Sequence, residues 1–206
     1  MVSVIVSTTS SIKKEAFETS QIACYLRDIG VKYEFIEMNC GARYPQPFTA
    51  SGAILAAMQR TPAHTEYTKY YDESGMLLGS HKNSSSDFKT NTIIIAIESY
   101  ITENAKDCVC IVVRYGENQE LIRFSPAKYI ASFPDVYLPC KGNKPGDVMG
   151  FETTVGELIA ADLNVSPVNW HKLFNRFDRV EQIRETLNYV ADDIKKIVGV
   201  VRGGLN

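Results

Sequence analysis

No stretch of this sequence is apolar for the roughly 20 residues that a membrane-spanning helix requires. The start carries neither a charged n-region nor an apolar h-region, so a secretory leader is not expected. Charge of neither sign dominates. The 22 Lys and Arg face 24 Asp and Glu, net -2, which argues against a nucleic-acid backbone as the main partner. There are only three histidines, His64, His81 and His171. They show no paired spacing, so no metal site is expected. No Walker loop, G-x-G-x-x-G or G-x-S-x-G occurs, so those phosphate, dinucleotide and hydrolase motifs give no lead. The five cysteines are an odd number without a disulfide-scaffold spacing, which points to a reducing, cytoplasmic compartment. Cys108 and Cys110 fall in an apolar run that reads as a strand. Their thiols then share one face and read as buried and inert.

What is present is a core-forming pattern. With 45% hydrophobic residues, the chain can build a core for one large or two small domains. "VSVIVS" reads as a buried strand. Ser10 or Ser11 can cap a helix over Lys13 to Ile29, with Ile22, Leu26 and Ile29 on one face and Gly30 at its end. Lys13-Lys14 and Lys195-Lys196 read as solvated helix faces. "VKYEFIEMN" alternates as a second strand, which gives a βαβ unit. "FTASGAILAAMQR" reads as a helix, and the Thr- and Tyr-rich segment after it as a hairpin. Ile93, Ile94, Ile97, Tyr100 and Ile101 trace a helical stripe.

A boundary is expected near Thr102 to Asp107, dividing the chain into residues 1–104 and 105–206. Beyond it, "CVCIVVRY" and "ELIRF" form a second hairpin around Gly116. A proline-rich irregular segment follows, then a helix in "TTVGELIAADL". Ser166-Pro167 is a natural start for a helix in "VNWHKLF". Val180, Ile183, Leu187, Val190, Ile194, Ile197 and Val201 step by three and four, as in an a/d seam. This predicts one long amphipathic helix packing on the rest of the second half.

The fold class is therefore α/β (α+β). The order β-α-β-α-β-β-α over the first hundred residues resembles the thioredoxin-like fold in its glutaredoxin form. "LRDIGVKYEFIEMN" resembles the helix-to-strand passage of glutaredoxins. Thr61-Pro62 stands where that family has a cis-proline, and "YYDESGMLLGSHKNSSSDF" resembles the strands and polar loop that follow. The active-site cysteines are missing, since the first βα turn holds "TTSSIKKEAF". That turn is similar to the small SH3-domain-binding glutamic-acid-rich proteins, thioredoxin-like proteins that lack the cysteine pair and are regarded as interaction modules. The resemblance implies a redox-inactive interaction or assembly subunit, with a protein partner or a second copy as its counterpart and no catalytic residue. Trp170, Phe174 and Phe177 read as a core stripe, or as a partner anchor if exposed. The alternative is a glutathione-binding or transferase-like role, with glutathione held by Ser10, Ser11, Thr61, Pro62 and Ser80.

Overall fold

The computed structural model describes residues 2–36, 46–61, 67–71, 77–82, 91–102, 104–116, 119–125, 128–129, 137, 145–147, 150–151, 153–167, 170–174 and 178–203. Its elements, in chain order, are β1 (Ser3–Ser7), α1 (Ser11–Glu18), α2 (Gln21–Asp28), β2 (Tyr33–Ile36), β3 (Gln46–Pro47), α3 (Ala50–Gln59), β4 (Tyr67–Tyr71), β5 (Leu77–Lys82) and β6 (Thr92–Ile101). They continue with β7 (Lys106–Tyr115), β8 (Gln119–Phe124), β9 (Lys128–Tyr129), β10 (Pro145–Asp147), β11 (Gly150–Phe151), α4 (Val155–Leu163), α5 (His171–Phe174), α6 (Arg179–Tyr189) and α7 (Ala191–Gly203). The α+β class expected from the sequence is the one observed.

The main sheet has the order β2-β1-β6-β7-β8, with β9 pairing β7. β1 runs parallel to both β2 and β6, whereas β7 is antiparallel to β6 and β8. Strand alternation assigns its two faces. Val4 and Val6 of β1, Ile93, Ile95 and Ile97 of β6, and Val109, Ile111 and Val113 of β7 join one core with Phe17, Ile22, Leu26, Ile183, Leu187 and Ile194. So α1, α2, α6 and α7 cover this face. Ala96, Tyr100, Cys108, Cys110 and Val112 look the other way, onto Ala53, Ala57 and Met58 of α3. Cys108 and Cys110 are buried on one face of a strand, as the sequence implies. A third cluster joins Ile101, Tyr137, Val155, Ile159 and Trp170. Smaller sheets are formed by β3, β10 and β11 and by the β4–β5 hairpin.

Four expectations are corrected. The Ile93–Ile101 stripe is strand β6, not a helix. Because β6 is buried on both faces, every apolar position is inward and periodicity loses its meaning. The β-branched run of Thr92 and Ile93 to Ile95 then favours the extended chain. The expected helix Lys13–Ile29 is two helices. Ser20 breaks it and caps α2, accepting from Ala23 N at 3.3 Å and donating to Phe17 O at 2.6 Å. The C-terminal seam is likewise split at Val190 into α6 and α7. Its buried residues pack on α1, α2 and the sheet, not on the second half alone. Finally, the helix expected after Ser166-Pro167 starts only at His171.

The turn at the expected domain boundary joins two strands paired along nearly their whole length, from Ile93 with Tyr115 to Ile101 with Asp107. One sheet thus runs through residues on both sides of it. Gly30 has the left-handed φ of +70° that ends α2, with Val31 N donating to Leu26 O at 2.9 Å. Among the described residues no helix is long and apolar enough to cross a membrane.

Candidate functional site

Parallel strands place the loops that follow them along one edge of a sheet. Where neighbouring strands send their chains in opposite directions, those loops diverge and leave a crevice. β1 and β6 are such a pair. The chain leaving β1 turns through α1 and α2 toward β2, while the chain leaving β6 turns back as β7. At their carboxyl ends is a cavity of about 320 Å³ whose lining includes Thr8, Ser10, Lys13, Arg60, Glu98, Trp170, His171 and Arg179.

The β1–α1 turn forms one wall. Thr8 Oγ1 accepts from Ser10 N at 3.1 Å, which folds the turn back. Ser10 occupies the N-cap position of α1 but its side chain makes no cap hydrogen bond. The N–H groups of Ser11, Ile12 and Lys13 lack an i−4 acceptor in the helix. No acidic residue sits in that first turn, so the positive end of the helix dipole is left uncompensated from within.

Lys13 reaches from this turn to Glu98 of β6, Nζ to Oε1, at 3.3 Å. Arg60, just past α3, approaches from the other side, with Nε 2.8 Å from Oε2. That contact is an ion pair without hydrogen-bond alignment. Ser99 N also donates to Glu98 Oε1 at 3.1 Å. The side chains of Lys13 and Glu98 are only 14% and 7% exposed. Burial pushes the Glu98 carboxyl up, but Lys13, Arg60 and the Ser99 amide outweigh it and hold it below its ordinary value. Burial pulls the Lys13 ammonium below its ordinary value, with Arg60 adding to the effect against the pull of Glu98.

A second polar group sits where β7 begins. Asp107 is buried, and its Oδ2 accepts from Arg179 Nη1 and lies 3.4 Å from His171 Nε2. Gln182 Nε2 donates to Asp107 O at 3.1 Å, and Gln182 Oε1 accepts from Arg179 Nη1. His171 stacks on Trp170 with ring centroids 3.8 Å apart. Trp170 in turn closes over Gly156, whose missing side chain makes room for it.

The residues proposed from sequence are only partly gathered here. Ser10 lines this cavity, and Ser11 lines a smaller neighbouring one with His171 and Arg179. Thr61 belongs elsewhere. It is buried, its hydroxyl is directed at Ala57 O and Met58 O at the end of α3, and its carbonyl accepts from Arg114 Nη1 at 2.9 Å. Ser80 is in β5, opposite Lys69 of β4. Pro62 and Phe177 lie outside the described residues. Trp170 is 4% exposed and belongs to the small third cluster, and Phe174, half-buried, packs against that cluster. Lys13 is not on a solvated face as expected, whereas Lys195 is half-exposed beside the exposed Asp192.

Sequence reading missed Glu98, Arg60, Asp107 and Arg179. The one available signal was a lone carboxylate inside the apolar run "TIIIAIESYI", since a buried acid calls for a partner. Among the described residues no three His, Cys, Asp or Glu side chains form a metal-ligating group.

The fold thus defines a mixed-sheet α/β protein with a polar crevice at the carboxyl end of its parallel strands. No family model and no curated protein matches the chain. Its fold is similar to that in the crystal structure of protein VC0702 from Vibrio cholerae, at 13% identity and a TM-score of 0.55, covering 95% of this chain and 97% of that one.

Proposed function

We propose that this protein binds a small phosphorylated molecule in the crevice between β1 and β6. The supporting observation is a charge count on buried and half-buried side chains. Among the described residues, Lys13, Arg60 and Arg179 line the cavity against Glu98 and Asp107. Two cations share Glu98, and Arg179 holds Asp107, so one positive charge is left over. An uncompensated charge out of water is costly, and an anionic ligand offsets it. The open first turn of α1 adds N–H donors and a favourable dipole, the combination that suits phosphate. The same donors and cations would also stabilise charge developing on a phosphoryl group.

The interaction-module and glutathione readings draw less support. The former offered Trp170, Phe174 and Phe177 as anchors if exposed, and Trp170 is buried; the latter grouped Ser10, Ser11, Thr61, Pro62 and Ser80, and the Thr61 hydroxyl is directed at carbonyls of α3.

The test is calorimetric titration with methyl phosphate. Wild type is expected to bind, and Lys13→Met to weaken binding by about tenfold or more, as loss of one charge-assisted contact implies. Absence of binding by wild type, or equal binding by Lys13→Met, overturns the proposal.

A further inference from the structure

Helix α5 is four residues long and contains no fully buried residue, yet its His171 and the preceding Trp170 line the crevice. Trp170 enters the small third cluster, with Phe174 packed against it. His171 lies with Nε2 3.4 Å from Asp107 Oδ2. The two rings stack, 3.8 Å between centroids and 28° between planes, so a change at the imidazole is felt by the indole. Facing a carboxylate assigns the proton of the neutral ring to Nε2. A second proton must then go to Nδ1. That atom is sealed from solvent and has no hydrogen-bond partner among the described residues. The docked imidazolium would therefore hold an N–H with neither acceptor nor water, on a charge taken out of solvent.

The surrounding charges do not reverse this. Asp107 of β7 and Asp178 at the start of α6 attract a charged ring, but Arg179 of α6 repels it and already takes the Asp107 carboxylate. Glu15 of α1 and Lys172 of α5 line the smaller cavity with it, while Lys13, Arg60 and Glu98 are paired among themselves in the larger one. Burial, with Arg179, prevails and keeps the docked ring below its ordinary pKa. In water the same ring has no such penalty.

We propose that His171 and Trp170 form an acid-sensitive clasp: the uncharged imidazole docks α5 as a wall of the crevice at neutral pH, and protonation releases it. The released ring binds a proton that the docked ring excludes. Docking is therefore whole above the ordinary histidine value and weakens as pH falls below it, by up to about tenfold in the ratio of docked to released chain per pH unit. A short helix on a small satellite cluster is the kind of unit that opens without the rest of the fold. This device does not depend on the phosphate reading.

Trp170 is the single tryptophan and reports the clasp directly. Its emission is followed from about pH 8 to about pH 5, above the ordinary carboxylate values. Wild type is expected to red-shift with a midpoint below the ordinary histidine value, while far-ultraviolet circular dichroism stays unchanged. The Leu173 amide, which donates to Trp170 O in the docked helix, is expected to gain hydrogen exchange over the same range, beyond its intrinsic pH dependence. His171→Gln keeps a donor for Asp107 but does not titrate, and its emission is expected to stay flat. An NMR titration of the His171 ring in wild type gives a reading that needs no variant to fold, and its midpoint is expected to coincide with the emission change. A flat wild-type profile, a transition that survives in His171→Gln, circular dichroism lost in step with emission, or a ring that titrates at or above its ordinary value overturns the proposal.

Discussion

Replacing Glu98 by Gln separates a desolvated charge cluster from a surface salt bridge. The Glu98 side chain is 7% exposed and is shared by Lys13 and Arg60, which approach its carboxylate from opposite sides. The amide keeps the volume and an acceptor for Ser99 N, so packing is little disturbed. What is lost is the charge, and both cations stay behind. Breaking a buried pair by removing one partner costs about 3–5 kcal/mol. Arg60 is 30% exposed and partly hydrated, which places the expected loss near the lower end, about 3 kcal/mol. Urea denaturation of the two proteins measures it. The pH dependence carries a second signature. The folded carboxyl titrates below its unfolded value, so as pH falls the unfolded chain takes up the proton first. The Glu98 contribution is whole above the ordinary carboxylate value and is lost as pH drops through the depressed folded one. Glu98→Gln lacks that acid-side loss. The variant also has two excess cations in the crevice in place of one, so phosphate raises its denaturation midpoint more than that of wild type. A loss under about 1 kcal/mol with unchanged acid sensitivity would show the pair to be solvated, and the charge argument for a ligand would fail with it.

Two other substitutions probe the scaffold. A Cβ at Gly156 would come within 2.4 Å of Pro167 O and 3.0 Å of Trp170 Cδ1. Gly156→Ala is therefore expected to cost about 1–3 kcal/mol and to red-shift the emission of the single tryptophan, and an unchanged spectrum and midpoint would refute the close approach. Leu187, fully buried between α6 and the rest of the first core, should cost about 2–5 kcal/mol as Ala. Tyr189, two residues on and 76% exposed, serves as the control, with an expected change within about 0.5 kcal/mol; similar losses at both positions would contradict the packing of α6.

The local grammar of this chain was legible in its residues. The β1–α–β2 opening, α3, the two hairpins, the turn at Gly30 and the buried thiols of Cys108 and Cys110 all follow from short-range rules of spacing, capping and turn chemistry. Those rules act within a few residues, and so does the information that carries them. The identity of β6 was not legible, because an apolar run buried on both faces has no polar side to mark its period. The breaks at Ser20 and Val190 were also hidden, since both halves of each split helix keep the same inward residues. The site depended on tertiary structure altogether. Lys13, Arg60, Glu98, Asp107, His171 and Arg179 come from six separate points along the chain and meet only because the sheet order puts the ends of β1 and β6 together. Thr61, which the sequence grouped with Ser10, was instead drawn into closing α3. Sequence alone determined which segments are extended or helical at most of the described positions. The tertiary structure decided which charges lose their water, and a charge becomes a binding determinant only when that has happened.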